Sequence, residues 1–502
     1  MITQRQAQWE SLGRTTFDVL ILGGGVSGTC LFHHLCAEGY RVLLIDKGDF
    51  GSATSQSSAM MIWGGLLYLK DLKLNTVWRL CNARDHLVRE KSDWVQPQLF
   101  RYLVARNGQR GPLLVNAALS AYWLLGRCQG ARPQRDPRFE VPFLKKEIFR
   151  DSFLYQEAVL DTSDTRFALH WILSHQSPQS LAVNYCSAAG GSFRRAAGQW
   201  SVGLQDHLIP GARTETRARL VVNCAGPWTD EVNHEFGIQS PFKHVLSKGV
   251  FLGLNRFSNH EQPLIIDIGN EGDCMSLIPW GPVSLWGPTE TCEAKLSDAL
   301  STRPADIALL LRELNAVVPR PQSVEDIVSI RHGVRALVVN KEEAPCASSL
   351  RLSRKSEIYS DSIVPWLAVY GGKLTDCVRV ARALLSRIRE RLGPARTQPA
   401  EQKTARAPAE YASFPGLPVA VPSVRWCVER EMCWTLEDYL RRRTNISQWI
   451  PRGGLGRNNE NRNSLIRMAE DLPPLIQRHA EEAVRLYEQK IINQMDQLFA
   501  AC

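Results

Sequence analysis

Between Phe17 and Asp46 an apolar strand, a glycine turn, an amphipathic helix and a second apolar strand ending in an acid follow one another without interruption. FDVLIL runs into GGGVSG, helical patterning continues to about Glu38, Gly39 stops it, and RVLLID follows. This order prescribes half of a Rossmann fold. Gly23, Gly25 and Gly28 fill the positions of GxGxxG, the first for a tight turn, the second for close approach of a pyrophosphate, the third for packing helix on strand. The helix N-terminus then turns its free amides and positive dipole end toward the phosphates. Asp46, 18 residues beyond Gly28, ends the second strand where a carboxylate can bond ribose hydroxyls. A dinucleotide is implied, with FAD and NAD both open at this point.

The rest of the 502-residue chain extends this unit. A serine-rich loop, SATSQSS at 52–58, precedes a helical pattern from about Asn75 to Glu90. NYCSAA, QWSVGLQ and RARLVVNCAG between 180 and 224 read as short antiparallel strands returning to the nucleotide fold. Strand-like runs, a helix near Ala305–Ala316 and SIRHGVRALV occupy 240–345, and VPWLAVY at 364–370 leads through GGKLT into a helix reaching about Arg391. Polar, proline-containing sequence from 393 to 422 reads as a linker, followed by helices. The expected fold is α/β: a discontinuous Rossmann-type FAD-binding domain (15–75, 150–235 and 345–395), an antiparallel-sheet substrate domain (76–149 and 236–344), a linker (396–422) and a C-terminal helical domain (423–502).

Composition narrows the function classes. A net charge of +9, spread along the chain, selects no partner. The densest run, Arg441-Arg442-Arg443, reads as a solvated helix face, and no nucleic-acid-binding signature accompanies it, so nucleic acid is discounted. Thirteen cysteines lie singly, without zinc spacing, which predicts isolated thiols, no metal site and a cytoplasmic protein. The polar segment MITQRQAQWESLGRTT carries no secretion signal. Pro112–Leu125, PLLVNAALSAYWLL, is too short to span a bilayer but can lie on one or pack in a core.

Two further glycine-bearing strand ends, VVNCAGPW at 221–228 and VYGGKLT at 369–375, favour FAD. Together with DFGSATSQSSAMMIWGGLLYL at 49–69, IPWGPVSLWGPTET at 278–291, HGVRAL at 332–337 and EREMCWTLEDYLRRRT at 429–444, they resemble in order and spacing the hallmark blocks of FAD-dependent glycerol-3-phosphate dehydrogenases. The resemblance implies that Thr54, Ser55, Ser57 and Ser58 line the flavin and pyrophosphate, with Ala225, Gly226, Gly371 and Gly372 against the cofactor. It further implies that Lys373 stabilises the reduced ring and contacts substrate, and that Arg335, with Arg354 or Arg351 as a second, holds the substrate anion. Small-molecule substrate, a quinone or other electron acceptor, and peripheral contact at the inner face of the membrane through 112–125 complete the expectation.

Several positions depart from that pattern. Where the family carries Lys-Leu-Ile-His before Gly-Gly, this chain has Met60, Met61, Ile62 and Trp63; Leu67 replaces an arginine beside the retained Tyr68; and no histidine follows Ser247-Lys248, where Gly249 and Val250 stand. The base that takes the hydroxyl proton must therefore come from elsewhere, with His332, Tyr68 and Lys373 as candidates. Three functions fit: oxidation of glycerol 3-phosphate or a related hydroxylated anion, oxidation of a less anionic C–OH or C–N substrate in specialised metabolism, including as an oxidase, and flavin binding without turnover.

Overall fold

The computed structural model describes residues 2–108, 110–175, 179–267, 274–342, 355–399, 408–474 and 479–502. Its first sheet is built on Thr16–Leu22, whose TFDVLIL is buried at all but the first residue, as a strand covered on both faces requires. That strand pairs in parallel with Val42–Ile45 on one side and Arg213–Asn223 on the other. Leu181–Val183 and Trp366–Gly371 extend the parallel order outward, and Ser356–Ser360 closes one edge antiparallel. The helix Val26–Ala37 makes the crossover, ends before Gly39 at φ +88°, and packs on Cys377–Leu392. The first half of Arg213–Asn223 also carries the antiparallel strands Gln199–Asp206 and Cys186–Arg194, the small sheet expected from the sequence.

The second sheet is almost wholly antiparallel. Its longest pairing joins Phe242–Asn255 to Ile327–Asn340, setting Ser247 opposite Arg335 and Gly249 opposite Gly333. Strands Val283–Gly287, Cys274–Trp280, Leu264–Asp267, Val95–Ala105 and Phe149–Leu160 follow in order. The helix Pro304–Val317 covers the outer face, where Val250, Leu252, Leu254 and Trp286 meet Ile307, Leu310 and Leu314. Phe149–Leu160 pairs along its whole length with Val95–Ala105, and Met61–Ile62 pairs with Phe149–Leu160. Both therefore belong to this sheet, so the expected boundaries at 150 and 75 do not follow the strand pairing.

The C-terminal helices build a separate core around Leu436, Tyr439, Ile446 and Val484. The expectation that Arg441-Arg442-Arg443 is a solvated face is overturned, since Arg442 and Arg443 are 2% and 3% exposed. Arg443 grips both oxygens of Asp49 at 2.7 and 2.9 Å, Arg442 Nε reaches Asp49 Oδ2 at 2.6 Å, and Arg442 Nη2 reaches Asp438 at 2.6 Å. The run is a bolt between the helical domain and the serine loop. Removing one member would strand a buried charge at a cost of about 3–5 kcal/mol.

Candidate active site

A cavity of about 1280 Å³ lies between the two sheets. Its nucleotide end follows from the glycine turn. Gly23 has φ +107°, and a Cβ there would stand 2.5 Å from Cys224 O; a Cβ on Gly28 would stand 1.9 Å from Gly23 O. The helix therefore starts in direct contact with the turn, and Gly28 lies behind the cavity wall while Gly23 and Gly25 line it. Val26 N donates to Ser55 Oγ at 2.9 Å, so the helix N-terminus and the serine loop face one space. Asp46 Oδ2 accepts from Gly24 N at 2.6 Å and Oδ1 from Gly48 N at 2.8 Å. Burial pushes its pKa up to about 6 against the pull of those two donors. Beside it Lys47 Nζ stands 3.8 Å from the centre of the Trp228 ring.

The serine loop is fastened to both domains. Thr54 Oγ1 donates to Val334 O at 2.7 Å, Ser58 N donates to Asp164 Oδ2 at 2.8 Å, and Arg331 bonds Ser58 O and Asp164. Ser57 lies against Gly333, where an added Cβ would come within 2.5 Å of Ser57 Cβ. From behind, Arg441 donates to Gln56 O at 2.6 Å. The Thr54 and Ser58 hydroxyls are thus engaged with protein, though each keeps capacity to accept. Ala225, Gly226, Gly371 and Gly372 line the same cavity. Gly371 has φ +68° and lies so close to Lys355 O that a Cβ would meet it at 2.5 Å.

Toward the second sheet, Lys373 donates to Tyr68 Oη with its ammonium 4.0 Å from the phenol ring centre. Arg335 faces the cavity, and its guanidinium occupies the space over Gly249, where an added Cβ would stand 2.5 Å from Nη2. Lys248 points the other way, buried between Asp306 at 2.8 Å and Glu293 at 3.3 Å.

His332 is a correction. Strand alternation places it on the face opposite Gly333 and Arg335, exposed and outside the cavity lining, so it cannot reach a substrate held by Arg335. Arg354, like Arg351, lies outside the described residues. Sequence reasoning missed two groups, Lys47 and Trp228 at the nucleotide end; the Trp63 indole, named there only as a departure, lines the cavity with a buried Nε1 that has no hydrogen-bond partner among the described residues. Trp228 sat in a quoted motif, VVNCAGPW, without being assigned a role.

The glycine cradle, the amide-bearing helix end and the strand-end carboxylate fit a dinucleotide, and comparison with known proteins names it. Residues 18–359 match the model of the FAD dependent oxidoreductase (DAO) family. The chain is 28% identical over 380 residues to a glycerol-3-phosphate dehydrogenase of Mycobacterium leprae, covering 74% of this chain and 63% of that protein. It is 26% identical over 389 residues to the aerobic glycerol-3-phosphate dehydrogenase of Escherichia coli, covering 76% of each. The match thus spans less than two thirds of the length of the mycobacterial relatives. Among solved structures, the Bacillus halodurans glycerol-3-phosphate dehydrogenase complexed with FAD superposes with a TM-score of 0.71 at 18% identity, over 99% of this chain and 98% of that one. An L-alpha-glycerophosphate oxidase from Mycoplasma pneumoniae with FAD bound gives 0.58 at 15% identity, over 79% and 100%. The chain belongs to the FAD dependent oxidoreductase family, with a Rossmann-type FAD-binding fold completed by a second, mostly antiparallel sheet and a helical C-terminal region.

Proposed function

We propose that the protein oxidises a secondary hydroxyl of an anionic substrate, glycerol 3-phosphate or a relative, with FAD as the two-electron acceptor. The carrying observation is convergence: Arg335, Tyr68 and Lys373 reach one cavity that also holds the dinucleotide cradle. Gly23, Gly25 and Asp46 would hold the pyrophosphate and ribose, with Gly28 seating the helix on the turn behind them, Thr54, Ser55, Ser57 and Ser58 the flavin side, and Ala225, Gly226, Gly371 and Gly372 the backbone walls around it. Arg335 binds the substrate anion with its planar fork, fixing which carbon meets the flavin. With His332 on the other face, the Tyr68–Lys373 pair in its singly deprotonated form would take the hydroxyl proton, and the resulting ammonium would oppose negative charge on a reduced flavin bound here. Anaerobic addition of glycerol 3-phosphate is expected to bleach the flavin. No bleaching at saturation would reject that substrate.

A quinone or other acceptor would reoxidise the flavin, and a surface beside the cavity mouth supports delivery at a lipid face. No helix among the described residues is long and apolar enough to cross a membrane. Leu72, Leu74 and Trp78 are exposed beside Leu113, Leu114 and Leu124 of the helix Pro112–Leu125, six of the twelve exposed large hydrophobics among the described residues. Lys70 and Arg127 stand among them, Arg127 over the Trp78 ring. Apolar protrusions with a basic fringe suit an anionic bilayer. Co-sedimentation with phosphatidylglycerol vesicles should be lost in Leu113→Asp/Leu114→Asp; no binding by the parent protein would dismiss the contact.

A further inference from the structure

We propose that Glu157 is a positioning residue for the proton-handling pair: from the strand Phe149–Leu160 it holds the Gly64 amide, and the turn fixed in this way sets the Tyr68 phenol against Lys373. The reaction that the pair serves is the alcohol oxidation proposed above, and the role of Glu157 rests on that reading.

The arrangement starts from strand register. Met61 stands opposite Val159 and Ile62 opposite Ala158, so the chain leaves the strand Met61–Ile62 level with Glu157. A carboxylate takes over where strand pairing ends, and Gly64 N donates to Glu157 Oε2 at 3.1 Å. Two helices close on the same side chain. Arg84 of Leu74–Glu90 donates from Nη1 to Oε2 at 3.0 Å, and Tyr122 of Pro112–Leu125 donates its hydroxyl to Oε1. All three side chains are buried. Burial alone would push the Glu157 carboxyl up, and Arg84, the Tyr122 hydroxyl and the Gly64 amide pull against it.

The turn itself leaves no slack. A Cβ on Gly64 would stand 2.1 Å from Tyr122 Oη, and one on Gly65, whose φ is +85°, would stand 2.8 Å from Tyr68 Cδ2. Gly65 O accepts from Tyr68 N at 3.0 Å, and Thr375, two residues beyond Lys373, donates from Oγ1 to Trp63 O at 3.2 Å. Anchored at Trp63 O and Gly64 N, the segment delivers Tyr68 Oη to the Lys373 ammonium. Glu157 does not line the cavity, so it acts through Tyr68 and not on substrate.

An ammonium beside a phenol favours the phenolate, and an opposite charge within about 4–6 Å moves a titration by about 1–3 pH units. The pair takes the hydroxyl proton in its singly deprotonated form. Parting its two members therefore lowers the population of that form at neutral pH.

The test replaces Glu157 in two ways in the FAD-loaded protein. Glu157→Leu with Arg84→Met removes the tether and both buried charges together, a swap that folding commonly tolerates. Glu157→Gln keeps an oxygen for Gly64 N but leaves Arg84 with Asp85 alone as its ion-pair partner. Lys70, Asp71 and Arg335, which line the cavity with Tyr68, are unchanged throughout. The Tyr68 phenol is titrated by near-ultraviolet difference absorbance, each protein referenced to its own Tyr68→Phe version. The pH at which it ionises should rise by at least about one unit in the double variant and stay with the parent in Glu157→Gln. The reverse order is expected in urea, where Glu157→Gln, with its stranded guanidinium, should be the less stable of the two. With glycerol 3-phosphate, the rise of anaerobic flavin reduction with pH should move as the phenol does, cutting kcat at neutral pH about tenfold while KM, set at Arg335, changes less than about twofold. An unmoved phenol titration in the double variant overturns the tether. So does a rise of about one unit in Glu157→Gln, since the buried charge and not the Gly64 bond would then control Tyr68. If glycerol 3-phosphate reduces the flavin in none of the proteins, the alcohol-oxidising reading fails, and the phenol titration still decides the tether.

Discussion

Asp46 and Asp49 stand three residues apart at the start of one loop, and they are held in opposite ways. Among the described residues, Asp46 faces the cavity with only the amides of Gly24 and Gly48 as hydrogen-bond partners, and burial raises its pKa to about 6. Asp49 faces the C-terminal helices. Burial would raise it too, but Arg443 and Arg442 hold it down, at about 2. The difference separates two jobs. The back of the loop is saturated with ionic contacts that fix its position, whereas the front keeps a carboxylate with acceptor capacity for a ligand. The same contrast runs on to Ser58, whose backbone is clamped by Asp164 and Arg331 while the space in front of the loop stays open.

The sharpest way to break the front without touching the back is Gly28→Val. Its Cβ would meet a backbone oxygen, not a flexible side chain, so the turn must open. Purified protein is expected to lose essentially all bound flavin, read as the ratio of flavin to protein absorbance. A yellow preparation would mean the turn yields. The back is broken by Arg443→Met, which leaves Asp49 half-paired and should cost about 3–5 kcal/mol in urea unfolding. Adding Asp49→Leu should restore most of that loss. If the single substitution costs under about 1 kcal/mol, the bolt does not hold the loop. Arg335→Met probes the far wall of the same cavity. Losing charge-assisted hydrogen bonds worth about 1.5–3 kcal/mol should lower kcat/KM about ten- to a hundredfold with an anionic substrate, with flavin content unchanged.

The front was legible in the sequence and the back was not. Gly23, Gly25, Gly28 and Asp46 have fixed spacing because backbone geometry at a strand-to-helix turn leaves no other solution, so a local reading suffices. Arg441-Arg442-Arg443 looks the same in sequence whether it meets water or Asp49, which lies 393 residues away from Arg442. Only the fold distinguishes them. His332 failed for a smaller reason: neighbours in a strand point to opposite faces, so a match at Arg335 said nothing for a residue three positions earlier. Trp63 and Leu67 were visible as departures, but that both line one cavity with Arg335 and Lys373 depends on how the two sheets meet.

Acid titration gives the smallest effect and the finest test of the comparison. Asp46 is raised above the unfolded value of about 3.9, so its contribution to stability is full below about pH 4 and is lost as pH rises through about 6. Asp49 is lowered, so its contribution is full above about pH 4 and is lost as pH falls toward 2. Referenced to Asp46→Asn, the flavin-free protein should lose stability between pH 4 and 6. Referenced to Asp49→Asn, it should gain stability from pH 2 to 4 and stay level above. Ribose hydroxyls donating to Asp46 favour its charged form, so FAD binding should release a proton below pH 6. Each unit below that pH then weakens FAD by up to about tenfold. Measured by flavin fluorescence titration, an FAD Kd that stays flat from pH 5 to 7 would mean that the Asp46 carboxylate does not contact the cofactor, and the division between the two sides of the loop would have to be redrawn around Ser55 and the helix N-terminus.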